Sequence, residues 1–460
     1  MLVLTSKALA WLLGASVLGV IASIKLHAPG FLASCPWLTY GRVQPAAWNL
    51  LVYGFLVQAG LAVALWVTCR LCASPLRGGK VIALGAVLWN YGVLFGLIGI
   101  LAGDSTGVET LEMPVYAALV LLTSYLGIAA WVVVTFHHRR ERSVFISLWF
   151  ILGAVFAFPW LYATGYLAAV VFPLRGVLQA AAQAWYAQNL FTLFFTFIGL
   201  AIAFYFIPKL TGVAVPSRAL ATFGFWTLAL FGGLGGMQRY LGGPFPAYMV
   251  SLGVAAAGLG LLPLLAVWMN LWPILRGQGA RVRATPVLWF VGFGLASFLV
   301  ASLLGLANCF DAIGRTTRLT LYTLAAEQLT LQGFFAMSIS GALYYLVPRV
   351  LGCEWPSTRL VVAHFAAAAA GILLTLAAFG AGGFVHGAAM NDATLPFLNV
   401  VRACLPFEGT ATLGSLLLLV GYFAFALNLA LLLAVRFRSI CVPRVSGWLR
   451  PELAASGAKA

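Results

Sequence analysis

The sequence predicts an all-α integral membrane protein, twelve transmembrane helices in a single membrane domain covering residues 1–460. Three observations carry this: 63% of the residues are hydrophobic, only 8% are charged, and the mean hydropathy is +1.02. Soluble domains carry about 25% charged residues, so an ordinary water-soluble enzyme or binding module is excluded. Apolar runs bounded by Pro, Gly and charge clusters reach the roughly 20 residues that a helix needs to cross a ~30 Å hydrocarbon core.

In chain order the runs lie near 8–27, 46–69, 81–103, 114–136, 144–172, 183–207, 218–236, 246–272, 286–307, 321–348, 358–386 and 411–436. The first is too long, and too directly followed by others, to read as a cleaved leader; a retained signal-anchor is the natural role. Runs six and ten end in "AFYFIP" and "LYYLVP", where aromatic rings anchor in the interface and Pro208 and Pro348 help to end the span. Their continuations, "FYFIPKLTG" and "YYLVPRVLG", echo each other: aromatic, apolar, proline, base, glycine. After Arg436 only a short tail, 437–460, remains.

The net charge of +16 raises the question of nucleic acid, and the placement of the charge answers it. Arg70, Arg77, Lys80, the "FHHRRER" run, Lys209, Arg218, Arg276, Arg281, Arg283, Arg349 and Arg359 fall in loops that share one side with both termini. Asp104, Glu109, Glu112, Asp311, Asp392 and Glu408 gather on the other. This is the positive-inside pattern, which places both termini in the cytoplasm and the chain in the inner membrane, with anionic lipid rather than nucleic acid as the partner of the basic loops. The seven cysteines form no framework; Cys69 and Cys72 make a CxxC without a second pair or a nearby histidine, so a structural thiol pair outweighs zinc. No phosphate loop, dinucleotide fingerprint or Ser/His/Asp set is present.

The stretches "PWLTYGRVQP", "RRERSVFISLWFILGAVFAFPWLY", "WYAQNLFTLFFTFIGLAIAFYFIPKLTG", "SGALYYLVPR" and "VVRACLPFEGTATLGSLLLLVGYFAFALNL" resemble, in order, the catalytic subunit I of cbb3-type cytochrome c oxidases, relatives of the nitric oxide reductase large subunit. The resemblance runs over roughly residues 8–436 and implies the haem-copper oxidase subunit I fold: twelve helices in three arcs around pores that hold, in that family, a low-spin haem and a high-spin haem facing a copper. The family's chemistry rests on six histidines, because imidazole suits both iron and copper.

This chain has five histidines, His27, His137, His138, His364 and His386, none at a matching place. The resemblance puts the low-spin haem ligand of span 2 at Ala47, and the copper ligand of span 6 at Gln188. The paired copper ligands beyond span 7 fall on Gln238 and Arg239. The two haem ligands of span 10, high-spin and low-spin, fall on Ala326 and Gln328. The family's redox tyrosine aligns with Phe298 and the glutamate after it with Leu304. Met237, beside the copper positions, is a lone thioether. Bulky Trp48, Phe334 and Phe335 are candidates to fill volume that the haems occupy in the family.

"LAAEQLTLQGFF" therefore carries a candidate polar site, Glu327, Gln328 and Gln332, inside an apolar run. Helical spacing puts Gln328 and Gln332 on one face and Glu327 about 100° away. An ionisable group in a span is a functional candidate. Glu327 is open to three roles: a structural carboxylate touching Gln328, Arg239 or a partner subunit, a proton-relay or ion-binding group, or a contact to a bound cofactor. At the level of function, the expectation is a metal-free, non-catalytic paralogue serving as a structural or assembly subunit of a respiratory electron-transfer complex. No haem or copper is expected in this chain; those groups would reside in a metal-bearing subunit I-like chain or a membrane-anchored cytochrome c. The alternative is a repurposed carrier or proton/ion pathway using Glu327, and an active oxidase or nitric oxide reductase would need ligands that the chain lacks.

Overall fold

A computed structural model describes residues 1–457, with side chains through Arg438. Among the described residues, twelve helices are long and apolar enough to cross a membrane. They are spans 1 (Leu2–His27), 2 (Tyr40–Leu71), 3 (Gly79–Ala102), 4 (Val115–His137), 5 (Ile146–Val171), 6 (Val177–Thr211), 7 (Arg218–Tyr240), 8 (Ala247–Gly277), 9 (Pro286–Ala307), 10 (Leu321–Leu351), 11 (Thr358–Met390) and 12 (Phe397–Arg438). Of the expected tail 437–460, the part to Gly457 continues the last helix, and residues 458–460 lie outside the described residues.

Spans 2, 6 and 10 touch one another at the middle. The others close a ring around them in the order 1, 3, 4, 5, 7, 8, 9, 11, 12 and back to 1. Burial follows this plan: the most apolar stretches of spans 2, 6 and 10 are 100%, 89% and 83% buried, against 50% or less for every ring helix. Ring helices turn one side to lipid, whereas the central spans meet other helices all round; apolarity alone does not set this, since ring span 12 has mean hydropathy 2.5 and central span 10 only 1.4. The spacing of four spans between central helices gives the threefold repeat of the expected three-arc bundle.

Each central span contains a π-helical stretch: Leu50–Val57, Leu190–Thr196 and Leu329–Ala336. A fourth, Leu167–Val171, ends span 5. π turns insert an extra residue per turn and concentrate at functional sites. Each of the three central stretches starts within three residues of Ala47, Gln188 or Gln328, the positions that the family resemblance assigns to ligands.

Beyond shifts of a few residues at the span ends, two features differ from the sequence reading. Span 12 starts at Phe397 rather than 411, because the helix runs through Pro406 and Glu408; one proline removes a single N–H, which packed neighbouring helices tolerate. Span 8 is not one helix but two, Ala247–Leu259 and Leu261–Gly277, broken at Gly260. Pro263 has no N–H to offer the Leu259 carbonyl, so the hydrogen-bond ladder parts there.

Candidate functional site

A cavity of about 310 Å³ lies among spans 6 to 10. Gln188, Thr192 and Thr196 line it from span 6, Ala256 and Ala257 from span 8, Phe298, Ala301 and Ser302 from span 9, and Ala326, Glu327 and Thr330 from span 10. Gln238 and Arg239 enter from the tight turn Met237–Tyr240. That turn depends on Gly236, whose φ of 119° is a left-handed conformation that side chains disfavour. A Cβ there would also meet the Ala184 carbonyl oxygen at 2.9 Å.

Most of the polar groups have partners. Arg239 pairs with the Glu327 carboxylate across the cavity. Gln188 Nε2 donates to Thr192 Oγ1 at 3.1 Å, and the Gly236 N–H donates to Gln238 Oε1 at 2.6 Å. Asn189 Nδ2 donates to the Trp185 carbonyl at 2.8 Å and, at 3.4 Å, to that of Gly233, tying span 6 to span 7.

The structure thus brings Gln188, Gln238, Arg239, Ala326, Glu327 and Phe298 to one cavity. Gln328 and Gln332 face away from it, into a gap of about 10 Å³ shared with Thr375 and Leu418, about the size of one water probe. Tyr422 donates to Gln332 Oε1 at 2.5 Å. Ala47 is buried in span 2 and lines neither cavity. Met237 packs with Ala181 and Ala184 in a small satellite core instead of lining the cavity. Of the bulky candidates for filling volume, Phe334 lies against Phe298 at 4.9 Å between ring centroids, and Phe335 against Phe195 at 4.9 Å. Both sit fully buried where the central spans meet; Trp48 reaches the cavity's edge through Phe191, at 6.4 Å. Leu304 packs on the core and its carbonyl accepts from the Tyr322 hydroxyl at 3.3 Å.

The histidines stay apart. His364 is fully buried, its Nδ1 3.0 Å from the Tyr344 hydroxyl and its ring stacked on Phe425. His27 Nε2 is 3.2 Å from Thr412 Oγ1, and the His137 and His138 rings meet at 5.3 Å at the end of span 4. Cys69 and Cys72 are free thiols. Among the described residues, no group of three or more His, Cys, Asp and Glu side chains is placed to hold a metal ion.

Sequence reasoning passed over Tyr422, although a lone tyrosine in the "LLLLVGYFAFALNL" run is the same signal that singled out Gln332. It also gave Glu112 no structural role. This carboxylate, on the loop between spans 3 and 4, is buried and accepts from Asn49 Nδ2 at 3.0 Å. Burial raises its carboxyl above the usual range, opposed by hydrogen bonds from backbone and Asn49.

The family model described as Cytochrome C and Quinol oxidase polypeptide I matches residues 2–417. The chain belongs to that family. Within it, this subunit I-like chain is similar to the cytochrome c oxidase subunit 1 homolog of Agrobacterium tumefaciens (strain T37), at 26% identity over 90% of this chain and 80% of the relative. It is 25% identical to the cbb3-type cytochrome c oxidase subunit CcoN1 of Stutzerimonas stutzeri, over 89% of this chain and 90% of the relative. Its fold is similar to that of a solved haem-copper terminal oxidase dimer, with a TM-score of 0.66 at 14% identity over 93% of this chain and 84% of that one. The twelve-span haem-copper oxidase fold read from the sequence is therefore the fold of this chain.

Proposed function

We propose that this chain is a metal-free, non-catalytic member of the oxidase subunit I family, acting as a structural or assembly subunit of a respiratory membrane complex. The observation that carries the reading is the Arg239–Glu327 pair inside the cavity. A guanidinium is a permanent cation with no lone pair to give, so at a copper ligand position it opposes a metal cation instead of binding one. Ala326 offers a methyl group where a haem ligand would stand. Gln238 Oε1 already accepts from the Gly236 N–H, an amide oxygen such as that of Gln188 is a weak metal ligand, and haem iron takes His, Met, Cys or Tyr. The donors present do not fit haem or copper.

The pairing of Glu327 also speaks against the carrier reading, since a relay carboxylate must be free to gain and lose a proton, whereas this one is held by a fixed cation. In the proposed complex, haem and copper sit in partners: a metal-bearing subunit I-like chain or a membrane-anchored cytochrome c. The membrane is the inner membrane, with both termini in the cytoplasm, and the basic loops meet lipid headgroups, not nucleic acid. Affinity purification of the tagged chain in mild detergent tests the assembly role. Co-purifying haem-bearing subunits, and their loss from the membrane when this chain is deleted, are the expected results; reconstituted proton or solute flux by the chain alone would overturn the reading.

A further inference from the structure

The echo between the ends of spans 6 and 10 extends in space to span 2. On each central helix an aromatic residue is followed one turn later by a cation lying over its ring: Arg70 on Trp66 at 5.4 Å, Lys209 on Tyr205 at 4.9 Å and Arg349 on Tyr345 at 3.3 Å. The rings themselves touch. Trp66 lies 5.8 Å from Tyr205, 5.6 Å from Tyr345 and stacks on Phe206 at 6.3 Å. Lys209 Nζ also donates to the Tyr205 hydroxyl at 2.8 Å.

We propose that Arg70, Lys209 and Arg349 form one anion site for a phosphate-bearing, water-soluble molecule. All three residues are exposed, and none takes part in the ion pairs formed among the described residues, which involve Arg239, Arg315 and Arg318. The helix ends consume only part of the charge. Each carries roughly half a negative charge, so three cations leave a surplus of about 1.5 positive charges, which attracts a phosphate-bearing anion, each phosphate group carrying ~1.5 to 2 negative charges at neutral pH. Stacking on rings holds the cationic groups in place before an anion arrives. Topology alone asks for basic residues on this side; it does not ask for three of them to converge on one aromatic plate. Position selects the occupant: the plate lies on the central spans inside the ring of nine helices, away from headgroups whose tails must lie outside that ring.

Calorimetric titration of pyrophosphate into the purified chain in nanodiscs of uncharged lipid tests the site. Saturable binding of one pyrophosphate per chain is expected, weakened about tenfold by each of Arg70→Gln, Lys209→Gln and Arg349→Gln, and unchanged by Arg359→Gln on the outer span 11. Absence of saturable binding, or equal weakening by Arg359→Gln, would overturn the proposal. So would abolition of binding when phosphatidylglycerol is added to the nanodisc, because a lipid headgroup would then own the site. In the unsubstituted chain, pyrophosphate should shield Arg70 and Arg349 from phenylglyoxal more than Arg359; uniform labelling would contradict a built site.

Discussion

Arg239, on the tight turn that ends span 7, pairs with Glu327 on span 10 across the cavity between them. Removing one member strands a charge in a place of limited solvation, whereas removing both strands none. Arg239→Met and Glu327→Met should each lower stability by about 1–3 kcal/mol, and the double variant should lose less than the sum. Melting temperatures in detergent measure this, and additive losses would show that the pair carries no coupling.

Glu327→Gln keeps the shape of the side chain and removes its charge. For a structural carboxylate, the complex should still assemble, with electron-transfer activity of the assembled complex close to that of the parent. Loss of proton movement with assembly intact would instead identify a relay.

Tyr422 and Gln332 join span 12 to span 10 through a 2.5 Å hydrogen bond beside the small gap that Gln332 lines. Tyr422→Phe leaves the Gln332 oxygen without that donor and should cost about 1–2 kcal/mol. Tyr422→Phe combined with Gln332→Leu should recover part of the loss, since the unpaired oxygen is then gone; the two melting curves decide it.

Gly199 faces the Phe334 ring so closely that a Cβ would lie 2.4 Å from Cζ. Gly199→Ala should therefore displace the ring and destabilise the centre of the bundle by about 1–3 kcal/mol. Gly127→Ala, at a position with open space beside it, provides the control and should be nearly neutral.

Glu112 gives a pH dependence with a definite sign. Its carboxyl is raised above the ordinary 4.5 by burial, so the folded chain favours the protonated form. The stability this contributes is complete below the unfolded pKa and is lost as pH rises through the folded one. Glu112→Gln cannot lose a proton and can still accept from Asn49. It should match the parent in acid and exceed it at neutral pH, when melting temperatures are compared between about pH 4 and pH 8. Parallel profiles for the two proteins would contradict the assignment.

The twelve spans were legible because apolar length is written directly in composition, and Gln188, Gln238, Arg239 and Ala326 were singled out by the motifs that carry the family resemblance. Their meeting in one cavity follows once the helices take the family's arrangement. What could not be read was pairing across helices. Glu327 had Gln328, Arg239 and a partner subunit as equal candidates, and only the turn set by Gly236 brings Arg239 to it. The break in span 8 was foreshadowed by Pro263 but lay within an unbroken apolar run. The joining of Trp66, Tyr205 and Tyr345 was hidden because their segments are more than a hundred residues apart, and only two of the three share a visible motif.

The most direct test of the metal-free account is the haem and copper content of the purified chain, freed of partner subunits and measured by pyridine haemochrome spectrum and elemental analysis. Sub-stoichiometric amounts of both, from a chain that remains folded, are the expected result. One haem or one copper bound per chain would contradict it.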